Sequence, residues 1–234
     1  MRDFRIKRRN KSYQIFGILL LCISIIALVS NITIAWFRDE SVTSNGDSVT
    51  IIGTLGIDVT TNFNFYNLAL APDKIYTTDK DNQRIGTYLQ TSEDHDIEGA
   101  YVRIKFETDR RNIGTITYID NTDLLNLYFD GNLTTNTTYS ASEKNKWFYN
   151  SADGYYYYIG AIEDSEVCFN AGYKTSNYMT NVESNAEVRL VFTVEAIQRQ
   201  YGAYLEIWTT APNIFVEWAE EDEVERWGQQ PSTN

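Results

Sequence analysis

Between residues 186 and 197 the chain alternates. Val188, Leu190, Phe192, Val194 and Ala196 interleave with Glu187, Arg189, Val191, Thr193 and Glu195. A period of two sends successive side chains to opposite faces of a pleated strand, so this segment predicts a long strand with one buried face. Residues 101–107 repeat the pattern, with Val102, Ile104 and Phe106 set against Arg103, Lys105 and Glu107. Further strands are expected at 48–59, 84–90, 113–119, 124–129, 146–149, 155–159 and 166–170. Asp153-Gly154 is the sequence of a type I′ hairpin turn, with Asn150-Ser151-Ala152 able to lengthen the loop, and Asp130-Gly131 marks another turn. Only Pro72, Pro212 and Pro231 interrupt the pattern. Many short strands separated by turn signals predict an all-β fold, an antiparallel two-sheet sandwich with jelly-roll connections.

The C-terminal end differs. Residues 201–208 and 215–227 lose the alternation and gain Glu and Ala, which predicts short helices. Glu217, Glu220, Glu221, Asp222, Glu223 and Glu225 form an acidic segment there. Its functional reading is a cation or partner site, and its ordinary reading is a solvated helix face.

At the other end, Arg2, Arg5, Lys7, Arg8, Arg9 and Lys11 precede an uncharged apolar run over residues 13–37. Such a run is either a long signal peptide or a single membrane anchor, and it is long enough to span a bilayer. Thr33 and Ala35 supply the small residues a signal peptidase requires, with Trp36 as the new N-terminus. The positive flank keeps the N-terminus inside, so the remainder is expected outside the cytoplasm, at the cell surface or released. Cys22 lies within the apolar run and reads as an apolar filler.

The whole chain carries −12, and residues 1–35 carry +5, which leaves −17 on residues 36–234. A surface so acidic disfavours nucleic acid and anionic membrane as partners. Cys168 is the only cysteine after residue 35, so the exported part forms no internal disulfide and depends on its core. Cysteine poverty fits an exported Gram-positive protein. Sequons at Asn132 and Asn136 keep a eukaryotic origin open.

Three motifs, in order along the chain, carry a resemblance. Ala35-Trp36-Phe37-Arg38-Asp39 is followed after a polar spacer by Ile52-Gly53-Thr54-Leu55-Gly56-Ile57-Asp58-Val59. Trp147-Phe148-Tyr149 precedes Asp153-Gly154 and the run Tyr155-Tyr156-Tyr157-Tyr158, and Val194-Glu195-Ala196-Ile197-Gln198 comes last. Together they resemble the TasA/camelysin family of exported Gram-positive proteins over most of residues 35–198. The resemblance implies a jelly-roll β-sandwich exported with a dedicated signal peptidase. Family members include biofilm-matrix fibre subunits and proteins labelled cell-surface metalloproteases. The likeness fades after Gln198.

The residues favour the structural reading over the enzymatic one. Zinc proteolysis uses two imidazoles on one helix face, as in His-Glu-x-x-His, whereas this chain has one histidine, His95. No nucleophile elbow lies near it, and no cofactor is expected. Around it, Glu93, Asp94, Asp96 and Glu98 offer clustered oxygens to calcium, without the spacing of a known calcium loop; a solvated loop is the ordinary reading. After cleavage, residues 36–47, with Trp36, Phe37, Asp39 and Val42 near their start, are free to pair with a neighbour's sheet edge. Head-to-tail repetition of that strand donation builds a fibre from copies of this chain or related matrix subunits, with acid or divalent cations relieving the repulsion of −17. The ordinary reading of 36–47 is a linker or first strand. A monomeric adhesin is the other candidate, with Trp147, Tyr155 and Tyr157 stacking on sugars, although alternate tyrosines of a strand face opposite sides.

The expected organisation is therefore a signal peptide or anchor at 1–35, a donor segment at 36–47, a β-sandwich at 48–200 and an acidic, partly helical extension at 201–234.

Overall fold

A computed structural model describes residues 49–52, 56–61, 71–79, 81–92, 99–112, 119–120, 125–177, 186–199 and 202–227. They are mostly β-strand, with antiparallel sheets and a few short helices. The two strongest sequence alternations become the two longest strands, β5 (Ala100–Asn112) and β13 (Ala186–Gln198), paired antiparallel over their whole length. Around them a seven-stranded sheet is ordered β1-β13-β5-β10-β9-β8, with β6 (Ile119–Asp120) also on β5. Its other members are β1 (Val49–Ile52), β8 (Leu133–Thr134), β9 (Trp147–Asn150) and β10 (Tyr155–Tyr158).

Two three-stranded sheets face it. One joins β11 (Val167–Asn170), β4 (Thr87–Thr91) and β2 (Ile57–Thr61); the other joins β3 (Ile75–Tyr76), β12 (Gly172–Thr175) and β7 (Leu125–Tyr128). Val102, Ile104, Leu190, Phe192 and Val194 from the large sheet share one core with Leu89, Leu125, Phe169 and Tyr173 from the smaller ones. The alternation thus puts Val102 and Ile104 of β5 and Leu190, Phe192, Val194 and Ala196 of β13 inside, with Phe106 packed against them.

Two pairings depart from the all-antiparallel expectation. β1 runs parallel to β13, and β8 runs parallel to β9. The second follows from the connection: residues 135–146, with a 3-10 turn at Ala141–Glu143, return the chain to the end where β8 began.

The turns also sort differently from their sequences. Asp130 and Gly131 both have positive φ (44° and 87°), and the Asn132 N–H donates to the Phe129 carbonyl at 3.0 Å. Positive φ at both central residues is the type I′ signature. Between β9 and β10, by contrast, a four-residue loop forms, Tyr155 opposes Asn150, and only Gly154 (φ 77°) is left-handed. The lengthened loop replaces the two-residue turn because Asn150 extends β9 and accepts the Gly154 N–H at 2.9 Å.

The opposite face of the large sheet is covered as well. α1 (Ala203–Ile207) and α2 (Asn213–Trp227) occupy the predicted helical stretches. Ile214, Phe215, Trp218 and Ala219 recur at helical spacing and form a second core with Tyr101, Tyr157, Ile159 and Ile197. Tyr101 stands at its centre, edge-on to Tyr204, Phe215 and Trp218 with ring centroids 5.3–5.7 Å apart.

Candidate functional site

The most concentrated polar arrangement lies under the chain that follows α1. The β5–β13 register sets Arg103 directly across from Glu195. The guanidinium donates to Glu195 Oε2 from Nε (2.9 Å) and Nη2 (2.7 Å), and from Nη1 to the Tyr157 hydroxyl (2.8 Å) and Asp153 Oδ2 (3.3 Å). It lies 4.1 Å from the Tyr155 ring centroid and 5.1 Å from that of Trp208. The carboxylates are engaged from elsewhere too. Tyr155 donates to Glu195 Oε1 at 2.7 Å and Trp208 Nε1 to Oε2 at 3.2 Å. Tyr157 (2.6 Å) and Thr210 (2.8 Å) donate to Asp153 Oδ2. Burial, reinforced by the Asp153 carboxylate, pushes the Tyr157 phenol up to about 12. This cluster binds the loop after α1 to the sheet, with one guanidinium shared between two carboxylates.

A second node fixes α2. Arg199, just past β13, forms a two-pronged pair with Asp222, and Tyr101 donates its hydroxyl to Asp222 Oδ2 at 3.1 Å. Glu163 pairs with the same guanidinium from the surface. Glu223, also buried, accepts the Gly202 N–H at 3.0–3.1 Å. Gly202 sits at φ 67°, a left-handed turn that aims its N–H into α2. The acidic segment is thus divided: Asp222 and Glu223 face inward, while Glu217, Glu221 and Glu225 are exposed. Among the described residues no group of acidic, histidine or cysteine side chains could hold a metal.

A third node organises residues 133–146. Buried Glu143 accepts from Asn136 Nδ2 at 2.7 Å and from Lys146 Nζ at 3.4 Å. The Thr134 hydroxyl, against the cost of burial and with help from Asn136, Ser142 and Lys146, holds its carboxyl below the usual carboxylate range. Asn132 donates its side-chain amide to the carbonyls of Cys168 (3.1 Å) and Phe169 (3.2 Å). Both sequon amides are therefore engaged as internal donors in the folded chain.

Two rings of the sugar-stacking set are enclosed and the third, Tyr155, is half-buried. Trp147 and Tyr157 are each 0% exposed. Trp147 packs inward against Tyr158 and Phe169, with centroids 4.9 and 4.8 Å away, and donates Nε1 to the Cys168 carbonyl at 2.9 Å. Tyr155 and Tyr157 point to the opposite face, where Arg103 and Trp208 meet them. The three rings do not converge on one surface. Sequence reasoning missed the Arg103 and Arg199 nodes. A cation alternating with apolar residues reads as solvent-facing, and nothing local to β5 tells that a later helix will cover it.

The remaining candidates lie outside the described residues: Thr33, Ala35 and Trp36 of the cleavage site, Phe37, Asp39 and Val42 of the donor segment, and Glu93, Asp94, Asp96 and Glu98 of the acidic loop. So does the apolar run at 13–37. Among the described residues no helix is long and apolar enough to cross a membrane. The assembly reading bears instead on β1, an end strand of the large sheet, held by a parallel register from Val49↔Leu190 to Ile52↔Thr193. At the outer strand β11, the Trp147 indole and the Asn132 amide already cap the carbonyls of Cys168 and Phe169.

No protein-family model matches the chain, and no curated protein or solved structure matches it significantly.

Proposed function

We propose that this chain is an exported, non-enzymatic structural protein, a subunit or accessory of extracellular biofilm-matrix or cell-surface fibres that assembles by strand exchange. The observation that supports this reading best is the position of β1. The segment 36–47 leads within two residues into a strand at the end of the large sheet, and that strand is held by only four residue pairs. A short terminal strand joined to a free leader is a natural element to trade between copies. In this reading the seven-stranded sheet and the two smaller sheets form a jelly-roll sandwich. The apolar run 13–37 holds the precursor in the membrane until a signal peptidase cuts after Ala35, and the freed segment then pairs with a copy of the chain or a related matrix subunit. For a sugar-binding adhesin built on Trp147, Tyr155 and Tyr157, two of the three rings are buried and the third, Tyr155, is half-buried against Arg103.

Negative-stain electron microscopy of residues 36–234, with and without calcium and at mildly acidic pH, tests the proposal. Regular fibres that vanish when residues 36–47 are deleted are the expected result. Particles that stay monomeric in every condition count against autonomous assembly.

A further inference from the structure

We draw no further inference here: the strongest candidate, the aromatic rim of the core between the sheets where the exposed Tyr149 ring packs on Tyr156 beside Phe129, carries nothing, because it is an apolar patch with nothing in the structure to show what covers it.

Discussion

Arg199 and Asp222 meet through two parallel contacts, with Nε 2.6 Å from Oδ2 and Nη2 on Oδ1, joining the end of β13 to the inner face of α2. Their side chains are 11% and 4% exposed, and Tyr101 adds a third donor to the carboxylate. Asp222→Ala leaves the guanidinium with only Glu163, whose side chain is 58% exposed. Loss of one partner from a buried pair costs about 3 kcal/mol or more. Urea unfolding should show that loss for Asp222→Ala, and a change within about 1 kcal/mol for Glu163→Ala. Equal effects would mean that α2 is not held through this pair.

Glu223 should make stability depend on pH in the unusual direction for an acid. Burial pushes its carboxyl above the usual range, only partly opposed by the Gly202 N–H. The folded state therefore holds this proton more tightly than the unfolded chain. The contribution is fully present below the ordinary glutamate value, about 4.3, and is lost as pH rises through the higher folded value. Glu223→Gln is expected to flatten this part of the stability profile between mildly acidic and neutral pH, read from denaturant midpoints. A variant profile parallel to the parent's would refute the assignment.

Gly172 and Gly131 should respond unequally to the same substitution. A Cβ on Gly172 would lie 2.0 Å from the Tyr76 carbonyl oxygen and 2.9 Å from the Thr77 Cα, both backbone atoms of the adjoining strand region. Gly172→Ala therefore has to part β12 from β3, at a cost of about 3 kcal/mol or more. Gly131 has open space around it and only its φ of 87° to object, so Gly131→Ala should cost about 1 kcal/mol. Thermal midpoints in the reverse order would contradict the β3–β12 pairing.

Trp147 serves packing more than hydrogen bonding. Trp147→Ala removes a fully buried ring and should cost about 3–5 kcal/mol. Trp147→Phe keeps much of the ring, and the Cys168 carbonyl retains the Asn132 amide. That substitution should therefore cost far less, about 1–2 kcal/mol. Comparable losses for the two would show that the indole N–H, not the ring, matters most.

Much of the β framework was legible in the sequence, and the exceptions have specific causes. β5 and β13 were readable because one apolar face in two is a local property of the chain. β12 was not readable, since Gly172–Thr175 has one large apolar side chain, Tyr173, and is a strand because β3 and β7 bracket it. The Tyr155–Tyr158 run announced a strand but could not announce that both of its faces would be covered. The acidic segment announced a helix, yet two of its carboxylates turned inward to meet a cation and an N–H more than 20 residues away.

By itself the sequence determined where the two longest strands alternate, that the chain turns at Asp130-Gly131 and where it changes to helix, because these depend on neighbours a few residues apart. Only the tertiary structure decided that Arg103 and Arg199 would be largely covered, that Trp147 and Tyr157 would face opposite ways into two cores, and that β1 would lie parallel at the end of the large sheet. Each of these depends on what a distant segment places against a face. The period of a strand reports which side is apolar, and says nothing of what will come to cover the other.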